Sequence, residues 1–148
     1  TYTGGRKPYG YRGLGEVGVF VFFGLVATLG TTYTQADGVS WAAVVGAVAI
    51  GLLACALLMV NNLRDIPTDV VAGKRTLAVR LGDHRARRVY AVLVTLPLPL
   101  GAICAFASPW AALVLLLGLP AGVLAATVLL GARGVLLKPV LAGTGLLE

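Results

Sequence analysis

Asp65 and Asp69 stand four residues apart in the run Asn61-Asn62-Leu63-Arg64-Asp65-Ile66-Pro67-Thr68-Asp69, directly after a long apolar segment. Gly73-Lys74-Arg75-Thr76 follows at once. The chain has only six acidic residues, so two of them at one spot point to a task. Two carboxylates held close repel each other, and one tends to take a proton unless a cation intervenes. Mg²⁺ suits such a site, because it is commonly held by one or two carboxylates, several waters and phosphate oxygens. Lys74 and Arg75 would then meet the remaining phosphate charge, Lys as a point charge and Arg as a planar fork. A catalytic group of Asp65, Asp69, Lys74 and Arg75 is therefore expected, with Asp65 and Asp69 as the metal ligands. Two plainer readings stay open. One is a solvated inter-helix loop that only sets topology, although topology needs the cations and not the aspartates. The other is an ion or proton pathway, which would favour acids at the span centres, where there are none.

Asn61, Asp65 and Asp69 would share one helix face if the helix continued. Pro67 has no N–H and disturbs the preceding turn. The spacing predicts that the helix ends near Asp65 and that a new turn opens with Pro67 near its first position. Asp69 would lie in that first turn, where the helix dipole favours a carboxylate.

A second group lies in Gly4-Gly5-Arg6-Lys7-Pro8-Tyr9-Gly10-Tyr11-Arg12-Gly13-Leu14-Gly15-Glu16. Glycines permit close backbone approach to a ligand, and tyrosines offer a ring face and a hydroxyl. Lys7, Tyr9, Tyr11 and Arg12 are candidate substrate-binding residues. The alternative is an aromatic belt at the membrane interface, which does not call for so many glycines.

The elements that must position these groups follow from composition. Of 148 residues, 58% are apolar and 12% charged. A soluble domain carries about 25% charged residues, and a chain this short has too much surface to hide so much apolar area. The expectation is an all-α, polytopic transmembrane helix bundle forming a single membrane domain over 1–148. Four segments, roughly 15–34, 40–61, 87–107 and 109–131, are long enough to cross about 30 Å at 1.5 Å per residue, and a fifth starts near Val140. Helices are required because the bilayer offers no partner to free backbone groups. Pro97 and Pro99 should kink the third span and Pro120 the fourth. The twelve Lys and Arg residues fall in the segments 1–14, 62–88 and 132–139. Threading four spans puts all twelve on one side, which the positive-inside rule makes cytoplasmic. The net charge of +6 thus reads as a topology signal and as a partner for anionic groups, with no nucleic acid implied. Cys55 and Cys104 lie inside apolar segments and read as small helix residues. His84 reads as interfacial. The chain starts at Thr1 and stops at Glu148 just after an apolar run begins, which predicts a piece of a longer protein.

The stretches GGRKPYGYRGLGE over 4–16 and NNLRDIPTDVVAGKRTLAVRLG over 61–82 resemble the UbiA superfamily of intramembrane aromatic prenyltransferases. Within it they are most similar to the branch that acts on 1,4-dihydroxy-2-naphthoate in menaquinone biosynthesis. The resemblance covers nearly the whole chain. It implies a nine-helix bundle around a central cavity, with this chain supplying about helices five to eight and the start of nine. It further implies transfer of a polyprenyl chain from polyprenyl diphosphate to 1,4-dihydroxy-2-naphthoate, giving demethylmenaquinone, in the cell membrane with cytoplasmic active-site loops. Asp65 and Asp69 match the family's second aspartate motif, which binds Mg²⁺. Lys74 and Arg75 match positions facing the diphosphate, and Asn61, Asn62 and Arg64 are implied as substrate-binding. The first aspartate motif has no match in the chain. Another aromatic acceptor, such as 4-hydroxybenzoate or a chlorophyll precursor, and a membrane transporter are the alternatives.

Overall fold

A computed structural model of the chain describes residues 13–147, and no β-strand occurs among them. Four helices are long and apolar enough to cross a membrane. They are α1 (Gly15–Ala36), α2 (Trp41–Val71), α4 (Asp83–Phe106) and α5 (Pro109–Leu129). A short helix α3 (Leu77–Leu81) separates the second pair from the first, and α6 (Gly134–Leu147) ends the described chain. The four expected spans are all present.

The central element is α2. The Ser40 hydroxyl starts it by accepting from the Ala43 N–H at 3.2 Å, an N-cap that satisfies one of the helix's orphan donors. Its buried residues Met59, Val60 and Leu63 pack with Ala86, Tyr90 and Val94 of α4, Ala121, Ala125 and Val128 of α5, and Leu137 and Val140 of α6. The Tyr90 hydroxyl and Thr144 Oγ1 lie 2.7 Å apart inside this core, so a buried polar pair ties α4 to α6. On the opposite side α1 meets α2 almost backbone to backbone. A Cβ on Gly24 would sit 2.5 Å from the Gly51 Cα. Lipid-buried helices use such small residues to bring backbones into contact. The middle of α1, Phe20–Ala27, is a π-helical stretch.

Three expectations are corrected. The segment 62–88 is mostly helical rather than a loop: α2 runs through Pro67 to Val71, and α3 and the start of α4 occupy most of the remainder. The helix does not end near Asp65, so Asp69 stands in the last turn of α2 and not in the first turn of a new helix. Helix α6 begins at Gly134, ahead of Val140. Helix regularity changes close to two of the prolines in these spans. The α-helical part of α4 stops at Thr95 and resumes at Pro97. In α5 a 3₁₀ stretch, Pro109–Leu117, gives way to α-helix at Gly118, two residues before Pro120.

Among the described residues the helix ends next to the cation-bearing segments are tied together. The Asn62 amide donates to Glu16 at the start of α1 at 3.1 Å. Arg87 near the start of α4 donates to the carbonyls of Val128 and Ala132 at the end of α5, at 2.7 and 2.9 Å.

Candidate active site

Because α2 continues past Pro67, Asn61, Asp65 and Asp69 follow one another at i, i+4 and i+8 on one face. Successive members lie one turn apart, at about 6 Å between Cβ atoms. Two local devices carry the helix over the proline. The Thr68 hydroxyl donates to the Asp65 carbonyl at 2.9 Å. At the end, the Lys74 N–H reaches the Asp69 carbonyl at 2.9 Å and the Gly73 N–H reaches the Val70 carbonyl at 3.1 Å. This is the Schellman pattern, which needs a left-handed residue, and Gly73 supplies it with φ +70°.

That turn returns Lys74 to the row. Its Nζ lies 3.0 Å from Asp69 Oδ1, and the Asp69 side chain is 7% exposed. A carboxylate at a helix C-terminus opposes the dipole, and the lysine offsets this. One turn earlier, Arg64 Nε donates to Asp65 Oδ1 at 2.7 Å and Nη2 to Asp65 Oδ2 at 2.9 Å. The same Nη2 also reaches Asn61 Oδ1 at 2.7 Å. Beneath the row lies an apolar cavity of about 470 Å³ between α1, α2 and α6. Its walls include Val19, Phe23, Ala54, Leu57, Leu58 and Asn61. Asn61 therefore belongs to both the polar row and the apolar chamber.

The structure thus gathers Asn61, Arg64, Asp65, Asp69 and Lys74. Asn62 points away from the row to Glu16, and Arg75 is exposed, the ion pairs of Asp65 and Asp69 among the described residues being those with Arg64 and Lys74. Lys7, Tyr9, Tyr11 and Arg12 lie outside the described residues. Two residues escaped sequence reasoning. Glu16 is buried, with one oxygen on Asn62 and its Oε2 without a hydrogen-bond partner among the described residues. Its only signal was an acid at the head of an apolar span. Arg87, 4% exposed, forks onto Asp83 at 2.7 and 2.9 Å while capping α5. The i, i+4 spacing of Asp83 and Arg87 signalled the ion pair, but nothing local signalled the cap.

The donor set fits a divalent hard cation. Among the described residues no group of three or more His, Cys, Asp or Glu forms a cage. Asp65 and Asp69 offer two carboxylates on one face beside an amide oxygen. Mg²⁺ takes such sparse oxygen sets when phosphate oxygens and waters complete its shell.

The family model described as the UbiA prenyltransferase family matches residues 1–138. A 1,4-dihydroxy-2-naphthoate octaprenyltransferase of Mycobacterium tuberculosis (strain ATCC 25618 / H37Rv) is 52% identical over 145 residues, 98% of this chain and 50% of the relative. A protein of the same name from Escherichia coli (strain K12) is 52% identical over 94 residues, 64% of this chain and 30% of the relative. A 2-carboxy-1,4-naphthoquinone phytyltransferase of Synechocystis sp. (strain ATCC 27184 / PCC 6803 / Kazusa) is 31% identical over 123 residues, 81% of this chain and 40% of the relative. The chain spans about half the length of the mycobacterial relatives. No solved structure matches.

Proposed function

The chain belongs to the UbiA prenyltransferase family, and on that premise we propose that it forms part of an enzyme moving a polyprenyl chain from its diphosphate to 1,4-dihydroxy-2-naphthoate. The observation that carries this reading is the Asn61–Asp65–Asp69 row standing over the apolar cavity. A polar head group and a long hydrocarbon tail need that arrangement. The names of the relatives supply the acceptor.

Asp65, Asp69 and the Asn61 amide oxygen would hold Mg²⁺. When bound, Mg²⁺ supplies positive charge against the diphosphate oxygens as the allylic C–O bond breaks. Lys74, and Arg64 once it leaves Asp65, add cationic donors for the departing diphosphate. Val19, Phe23, Leu57 and Leu58 keep water from the prenyl carbons, which protects the electron-deficient chain until the ring attacks. The first residues, with Lys7, Tyr9, Tyr11 and Arg12, are proposed to receive the naphthoate and its carboxylate. The cation distribution supports a plasma-membrane protein with this end cytoplasmic.

The test uses membranes containing the complete polypeptide that carries this chain. Asp65→Asn and Asp69→Asn are each expected to cut prenyl transfer to 1,4-dihydroxy-2-naphthoate by about 100-fold or more. Transfer at the wild-type rate with an unchanged Mg²⁺ requirement would refute the assignment. Transfer to 4-hydroxybenzoate in preference would move the acceptor and leave the metal chemistry standing.

A further inference from the structure

Arg64 is held in a way that helix spacing does not provide. Adjacent helix residues point about 100° apart and do not face each other. The Arg64 side chain nevertheless curls back and covers both oxygens of Asp65, at 2.7 and 2.9 Å, and Asn61 Oδ1, at 2.7 Å. One guanidinium thus occupies three oxygens of the row, and these are the hard donors a divalent cation takes. The guanidinium takes one lone pair of each oxygen and sets its positive charge against the face that a metal would use, so the two cations compete. The pair is also open to water, with side chains 29% and 35% exposed, and such pairs are weak. Arg64 has room to leave. It lines a second cavity of about 280 Å³, walled by Leu63, Ile66, Pro67, Asp83 and Arg133 among others. A diphosphate offers the guanidinium fork a more highly charged partner than one carboxylate does.

We propose that Arg64 is an exchangeable clamp on the metal site. It holds Asp65 and Asn61 until a diphosphate draws it away, so that divalent cation and diphosphate bind with positive coupling. The inference rests on the proposed function and specifies how that site is loaded. By linkage each ligand must tighten the other by the same factor.

The experiment uses the complete polypeptide in lipid nanodiscs, with Mn²⁺ binding followed by electron paramagnetic resonance. Titrations run with and without inorganic pyrophosphate, corrected for the Mn²⁺–pyrophosphate complex formed in solution. Arg64→Gln is expected to bind Mn²⁺ alone at least about fivefold tighter than the wild type, because its competitor is gone. The enhancement given by pyrophosphate should fall by a similar factor. Arg64→Lys keeps the charge without the fork and should fall between the two, which separates competition from misfolding. An Arg64→Gln protein with wild-type affinity for Mn²⁺ alone, or with its pyrophosphate enhancement intact, overturns the clamp. If the wild type meanwhile transfers prenyl groups and loses transfer in Asp65→Asn, only the clamp has failed. If neither protein binds Mn²⁺ under either condition and Asp65→Asn still transfers, the clamp and the metal-diphosphate reading fall together.

Discussion

Asp69 is a buried carboxylate at the wrong end of a helix, and Lys74 makes its position tolerable. Removing one member of a buried pair costs about 3–5 kcal/mol. The lysine side chain is 35% exposed, and water screening reduces this to about 2 kcal/mol. Lys74→Met should therefore lower the thermal unfolding temperature in detergent. Asp69→Asn should lower it less, and the double substitution should recover part of the loss of Lys74→Met. A melting temperature equal to the wild type's in Lys74→Met would remove this role. The two aspartates were legible in the sequence as a pair with a task, but their row with Asn61 was not, because Pro67 was read as ending the helix near Asp65 and the helix runs on to Val71. The partner of Lys74 was not legible either. Sequence reading set it against phosphate and did not foresee that the turn at Gly73 also brings its ammonium back to Asp69. Arg64 shows the same limit, since only its folded side-chain conformation reveals that it wraps round to its own neighbour.

The elements were legible in proportion to how far their signal extends along the chain. Four apolar stretches of span length are a summed property of some twenty residues each, and all four appear as helices. The end of α2 depended on one residue and was misjudged. An interior proline costs about 3 kcal/mol, but that cost competes with Leu63 in the core, the Thr68 hydroxyl on the Asp65 carbonyl, and the Gly73 cap. Together these carry the helix four residues past Pro67. Pro67→Ala restores an N–H and relieves the clash, so it should stabilise the protein by about 1–3 kcal/mol, read as a rise in melting temperature. A fall would mean that the helix depends on the proline. The contact between α1 and α2 makes the opposite prediction. A methyl at Gly24 would meet the Gly51 Cα at 2.5 Å, and one at Gly51 would meet the Phe20 ring at 2.8 Å. Backbone atoms cannot step aside, so Gly24→Ala should destabilise by about 1–3 kcal/mol. It should also reduce transfer, because Val19, Phe23 and Ala54 of these two helices wall the apolar cavity. Unchanged stability and activity would show that the helices are free to separate.

Among the described residues the cations sort to one end, and the folded contacts agree with the order of spans. Glu16 meets Asn62, and Arg87 meets the end of α5, at that end. At the other end the Cys104 thiol lies 3.8 Å from the Ala42 carbonyl, next to connections that carry Asp37 as their one charge. Large apolar side chains such as Phe106, Trp110 and Leu116 are exposed along α4 and α5, at 90%, 79% and 73%, as surfaces facing lipid or further helices would be. Loops rich in Lys and Arg favour the cytoplasmic side, which is the basis of the proposed orientation. Single cysteines test it, placed in the complete polypeptide with Cys55 and Cys104 replaced by alanine. Val39→Cys and Ser108→Cys should react with a membrane-impermeant maleimide on intact cells. Ala72→Cys and Val135→Cys should react only after permeabilisation. The reverse pattern would put the Asp65–Asp69 row outside the cell. A row placed there could not draw on an intracellular pool of diphosphate substrate. The labelling therefore decides whether the clamp, the row and the cavity share a compartment with the ligand they are proposed to take.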